Sequence, residues 1–179
     1  MTTQSTSPLA WHYSIKSAGS RVITAEREAT PADLARMTTD LDVLSVDAFE
    51  TRYTITPQSG DCFLLTGGYT ARLTQACVVT LEPVPQILDE AFSISFCPPN
   101  RIPEPEGKER PVLDVPDVEV LTGDEIEVGR VLFELLGAAI DPYPRKAEAE
   151  FSWNDPKSGP DVAEKLNPFA ALSKLKNER

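Results

Sequence analysis

Ala71-Arg72-Leu73-Thr74-Gln75-Ala76-Cys77-Val78-Val79-Thr80-Leu81 decides the fold, because its apolar and polar residues alternate. Leu73, Cys77, Val79 and Leu81 fall on one phase; Arg72, Thr74 and Thr80 fall on the other. Side chains on a strand point alternately to its two faces, so this pattern predicts a strand with one core face and one wetter face. Glu82-Pro83-Val84-Pro85 is then expected to interrupt the ladder, since each proline removes a backbone donor. Beyond it Phe92, Ile94 and Phe96 alternate with Ser93 and Ser95, which predicts a second half-buried strand.

Toward the amino terminus the same period recurs. Phe49, Thr51, Tyr53 and Ile55 alternate with Glu50, Arg52, Thr54 and Thr56, and Pro57-Gln58-Ser59-Gly60 supplies the turn into the next strand. That strand runs from Phe63 through Leu65, Tyr69 and Ala71 to Leu73. Gly67-Gly68 inside it predicts a bulge or bend, and so a curved or open barrel-like sheet. Trp11, Tyr13 and Ile15 alternate with His12, Ser14 and Lys16 as a short strand. Arg21 to Glu28 reads equally as strand or helix. Thr30-Pro31-Ala32-Asp33 opens a short helix ending near Asp40, with Thr30 as cap and Pro31 at the first helical position.

Toward the carboxy terminus, Pro98 to Pro116 is an aperiodic run of prolines and glutamates, read as a mobile acidic loop. Val118 and Val120 suggest one more short strand. Val128, Val131, Leu132, Leu135, Leu136 and Ala139 recur at helical spacing, and Asp141-Pro142-Tyr143-Pro144-Arg145 stops that helix. The expected fold class is α+β: a curved, mostly antiparallel sheet with two helices. Residues 1–8 are expected to form a disordered tail and 9–151 one domain. Residues 152–179 read as a flexible tail with a short helix over 168–176. Leu73, Cys77, Val79, Leu81, Phe92, Ile94, Leu132 and Leu136 are expected to be buried together.

A chain of 179 residues suits one core with tails. Its net charge of −11 and isoelectric point of about 4.6 repel phosphate backbones and favour basic partners, while serving solubility equally well. The start, Met1-Thr2-Thr3-Gln4-Ser5, lacks the pattern of a secretory signal, and no apolar run reaches membrane-spanning length, so the expected location is the cytoplasm.

Catalytic chemistry has little to stand on. The single histidine, His12, lies in a strand-like segment and reads as a solvated or hydrogen-bonded strand residue rather than a general base, and nothing nominates a pair of carboxylates. The three cysteines, Cys62, Cys77 and Cys97, are not close-set, and their strand phases predict that they do not converge on a zinc or a disulfide. Gly67-Gly68, Gly123 and Gly129 do not form a phosphate-binding pattern. No cofactor, metal or small-molecule substrate is expected, and the chain reads as a non-enzyme. Asn167-Pro168-Phe169, followed by Leu172 and Leu175 in a locally basic tail, reads either as a segment for a partner's groove or as a helix docked on its own domain.

Ala76-Cys77-Val78-Val79-Thr80-Leu81-Glu82-Pro83-Val84, the Phe-rich strand, the acidic insert, the helix and Asp141-Pro142-Tyr143-Pro144-Arg145-Lys146 together resemble the YceD family of large ribosomal RNA subunit accumulation proteins. They look most like its alphaproteobacterial branch. The resemblance covers roughly Trp11 to Phe151 and extends weakly to Asn167-Pro168-Phe169. Some relatives carry a second cysteine where Thr80 stands, so no paired-cysteine site carries over. Family helices commonly begin with isoleucine-aspartate-leucine, where this chain has Ile126-Glu127-Val128. Glu134 matches a glutamate usual within that helix.

The resemblance implies a part in accumulating large-subunit (23S) ribosomal RNA, with no catalytic residues to transfer. The expected route is binding a basic ribosomal or assembly protein. The competing route is direct RNA binding through Arg72, Arg145 and the lysine tail. The motif residues Cys77, Thr80, Leu81, Glu82, Pro83, Glu134, Tyr143, Arg145, Asn167, Pro168 and Phe169 are the interaction candidates.

Overall fold

A computed structural model describes residues 7–18, 21–102 and 117–150. The chain divides into two units, Met1–Lys146 and Ala147–Arg179, and the elements that follow all lie in the first. The expected loop over 98–116 is described only to Ile102, and the tail beyond residue 150 lies outside the described residues.

In chain order the elements are β1 (Tyr13–Ser14), α1 (Ile15–Ala18), β2 (Ile23–Glu28), α2 (Pro31–Asp40), β3 (Ser45–Pro57), β4 (Phe63–Ala76) and β5 (Pro83–Cys97). After a single 3₁₀ turn at Pro99–Arg101 come β6 (Asp117–Val120), β7 (Glu125–Ile126) and α3 (Val128–Ala139). The main sheet has the order β2-β3-β4-β5-β6; β1 and β7 pair separately. All pairings in the main sheet are antiparallel except β5 with β6, which is parallel. The fold is α+β, and its five-stranded sheet is open rather than closed into a barrel.

Alternation along the strands gives the sheet two unlike faces. Phe49, Tyr53 and Ile55 on β3, Leu65, Tyr69, Ala71 and Leu73 on β4, and Phe92, Ile94 and Phe96 on β5 form one face of the core. Met37 of α2 and Val128, Val131, Leu132 and Leu136 of α3 belong to the same core cluster. An aromatic row crosses the strands there, with ring centroids 6.1 Å apart for Trp11 and Phe49, 5.4 Å for Phe49 and Tyr69, and 6.5 Å for Tyr69 and Phe92. Each such contact adds about 0.5–1.5 kcal/mol beyond the area it buries. The opposite face stays exposed at Glu50, Arg52, Arg72, Ile87 and Asp89.

Local chemistry explains the helix ends. The Thr30 hydroxyl accepts the Asp33 N–H, and the Asp33 carboxylate accepts the Thr30 N–H at 3.0 Å, a reciprocal cap for α2. Glu127 at the start of α3 makes no such bond; its carboxylate accepts from Arg130 Nε at 3.1 Å instead.

Several expectations need correction. Arg21 to Glu28, open between strand and helix, supplies the edge strand β2. Ile15 and Lys16 do not extend a strand but begin the one-turn helix α1. Pro83 and Pro85 do not interrupt the ladder; they lie within β5, opposite Ala76 and Thr74. Since β6 pairs with β5 only from Ile94 to Cys97, residues 83–93 form an edge on that side among the described residues, where a missing donor costs little. The β3–β4 and β4–β5 registers run unbroken through Gly67 and Gly68, and the irregularity falls at Val46/Ala48. Gly67 instead permits close approach, because a Cβ there would lie 2.8 Å from Tyr53 Cα. Of the residues expected in the core, Leu81 is 76% exposed and Val79 only half-buried, because β4 ends at Ala76 and the chain turns there.

The cysteines also depart from expectation. Cys62 and Cys97 form a disulfide, with Cα atoms 4.4 Å apart. Phe63 pairs with Phe96, so the residues one step outward face each other. Each cysteine is out of phase with its own strand's core residues, and being out of phase on both strands puts the two on the same face. Phase within each strand could not reveal this without the register between them.

Candidate functional site

The sequence motif folds into a compact knuckle between β4 and β5. The Cys77 N–H donates to the Glu82 carbonyl at 2.8 Å, and the Leu81 N–H donates to the Cys77 carbonyl at 2.9 Å. Closing this turn places Leu81 at φ 61°, a left-handed conformation that costs a branched residue about 1–3 kcal/mol. The Thr80 hydroxyl is 3.3 Å from Glu82 Oε2 and accepts the Glu82 N–H at 3.4 Å. Pro83 then opens β5.

The segment after α3 straps onto this knuckle. Val78 N–H donates to the Pro144 carbonyl at 2.9 Å, and Lys146 Nζ donates to Glu82 Oε2 at 2.9 Å. Gln75 Nε2 donates to the Asp141 carbonyl at 3.0 Å, while the Asp141 carboxylate accepts the Tyr143 N–H at 2.9 Å. The proline-rich stop signal after the long helix is therefore also a strap.

Cys77 sits inaccessible at the centre. The Thr80 side chain and the backbone of Lys146, Thr80 and Val79 hydrogen-bond to its sulfur and lower the thiol pKa to about 6. The Thr80 N–H to Sγ distance is 3.5 Å. Glu82 is also held below the ordinary carboxylate range, first by the hydrogen bond from Lys146 and then by its charge. Around this polar centre Val78, Leu81 and Tyr143 expose 51%, 76% and 75% of their surface, and Arg145 is exposed beside them.

The structure thus brings together Cys77, Thr80, Leu81, Glu82, Pro83, Tyr143 and Arg145 from the candidate set. Glu134 is elsewhere. It accepts two hydrogen bonds from Arg130 Nη1, at 2.7 and 2.9 Å, and Arg130 Nη2 also donates to Glu119 at 2.8 Å. Those carboxylates hold the guanidinium charged and tie α3 to β6, a structural role. Asn167, Pro168 and Phe169 lie outside the described residues. His12 stands with Nδ1 3.9 Å from Glu125 Oε2. Among the described residues no three His, Cys, Asp or Glu side chains converge as metal ligands.

A second surface was not picked out from the sequence. On the open face of the sheet, Glu28 lies opposite Glu50, Glu50 opposite Thr70, and Thr70 opposite Asp89, one row across four strands. A shallow cleft of about 500 Å³ is lined there by these residues together with Glu26 and Arg52. Arg52 is ion-paired with Glu26, and Arg27 also lines the cleft, but among the described residues Glu28, Glu50 and Asp89 form no ion pair. Like charges placed directly opposite on a strand pair are unfavourable. No signal in the sequence marks this row, since Glu28, Glu50 and Asp89 are unremarkable until the strand register aligns them.

No curated protein and no solved structure matches the chain. The family model for the large ribosomal RNA subunit accumulation protein YceD does match it, over residues 65–176, a span that includes most of β4, the knuckle, α3 and the strap. With more than half of its length matched, the chain belongs to the YceD family.

Proposed function

We propose that this chain supports large-subunit ribosomal RNA accumulation without catalysing a reaction, by binding a basic ribosomal or assembly protein. The family name implies the role in large-subunit RNA accumulation. The observation that carries the finer reading is the row Glu28, Glu50 and Asp89 on the open face of the sheet, which forms no ion pair among the described residues. A lysine- or arginine-bearing segment laid across it would relieve the repulsion between opposed carboxylates, and the charge of −11 would speed its arrival. RNA has less to bind. Lys146 is engaged by Glu82, which leaves Arg72 and Arg145 as the exposed cations of the proposed basic patch among the described residues.

Pull-down from cell extract at low and high salt, with nuclease-treated and untreated arms, tests this reading. It predicts a basic protein retained at low salt in both arms and released at high salt. Recovery of RNA alone, abolished by nuclease, would transfer the role to direct RNA binding, whose affinity falls steeply with salt.

A further inference from the structure

We propose that Cys62–Cys97 is a reversible thiol–disulfide exchange site, read by low-molecular-weight thiols, whose reduction loosens the attachment of β6. The pair lies one step beyond the last rung of the β4–β5 ladder, Phe63 with Phe96. Cys62 is buried, yet neither cysteine is part of the main hydrophobic cluster, so reduction leaves that cluster's contacts in place. Cys97 is partly exposed while Cys62 is buried, so the attack is assigned to the more exposed Cys97.

The exchange balances in two steps. A thiolate attacks Cys97 Sγ, the S–S bond breaks, and Cys62 leaves as a thiolate that takes up a proton. A second thiolate then attacks the small-molecule sulfur of the mixed disulfide and expels the Cys97 thiolate, which is protonated in turn. Two thiols are consumed and leave as their own disulfide, carrying away the two-electron oxidation. The Gly60 carbonyl, 3.8 Å from Cys62 Sγ, is placed to accept the S–H of the dithiol form. The Arg101 guanidinium packs against Gly60, and a cation near this turn favours the departing thiolate.

Reduction acts on β6 through Cys97. Strand β6 pairs with β5 over four rungs, the last of them Cys97 with Val120, and the Leu121 N–H donates to the Cys97 carbonyl at 2.8 Å. Freeing Cys97 from Cys62, the residue before β4, removes the crosslink at that last rung.

The test equilibrates the full chain in glutathione buffers graded from oxidised to reduced, traps free thiols by alkylation, and locates them by peptide mass spectrometry. Amide exchange and thermal melts accompany each buffer. Expected are joint labelling of Cys62 and Cys97 in reduced buffer while the chain stays folded, and a melting temperature lower by about 10 °C. Exchange at the Leu121 amide is expected to rise at least tenfold, with none at Ala71. Cys97→Ser should show the fast Leu121 exchange in every buffer; should it fail to fold, the wild-type measurements still decide. The proposal is overturned if the pair stays unlabelled until the chain unfolds, if oxidised glutathione never forms the bond, or if Leu121 exchange ignores the redox state.

Discussion

Gly67 faces Tyr53 across the β3–β4 ladder so closely that a Cβ on the glycine would lie 2.8 Å from Tyr53 Cα and 2.9 Å from its Cβ. It would also collide with the Arg52 carbonyl oxygen. Its neighbour Gly68 is less crowded: the Glu90 carbonyl oxygen lies 3.3 Å from the position of a Cβ, a tight contact that a small shift relieves. Gly67→Ala is therefore expected to cost about 1–3 kcal/mol, as overpacking of a core does, and Gly68→Ala well under that. Chemical denaturation of both variants checks the contrast. Equal costs would remove the close-approach explanation.

Leu132 is fully buried in the core face of α3. Leu132→Ala should lose about 2–5 kcal/mol, the range for emptying a core leucine site. An unchanged thermal melt would contradict the packing of α3 on the sheet.

The two longer helices and the core face were legible in the sequence because their cause is local. Thr30-Pro31 capped α2 as its chemistry predicted, and Phe92, Ile94 and Phe96 faced inward as their alternation required. Leu81 misled because alternation was carried past the end of the strand, into a turn whose left-handed residue has no local signature. The disulfide and the acidic row share a different reason. Both depend on which residues face each other between strands, a quantity set by the whole sheet.

Cys77 gives a pH dependence with a definite sign. Its thiol is lowered from the ordinary thiol value of 9.0 to about 6 in the folded protein, so between those values the unfolded chain holds the proton more often. The stabilisation is complete above the unfolded value and is lost as pH falls through about 6. The melting-temperature gap between the wild-type chain and Cys77→Ser should widen as pH rises from 6 to 9. Thiolate absorbance should titrate near 6 in the folded protein. Titration near 9 would show that the knuckle does not hold the thiolate.

The strap predicts a local effect. Lys146→Ala removes the ion pair with Glu82 but no core contact, so exchange at the Val78 amide should accelerate while exchange at Tyr69 does not. Acceleration at both sites would mean that the strap supports the whole sheet.

The central claim is that the open acidic face recognises a basic protein, and charge reversal tests it most directly. The wild-type chain and a Glu28→Lys, Glu50→Lys, Asp89→Lys variant, its fold verified by thermal melt, are titrated with RNA-free large-subunit ribosomal proteins across a salt series. The account predicts salt-sensitive binding of at least one basic protein by the wild type and at least a tenfold loss in the variant. Equal binding by both chains, or binding of RNA fragments alone, would contradict it.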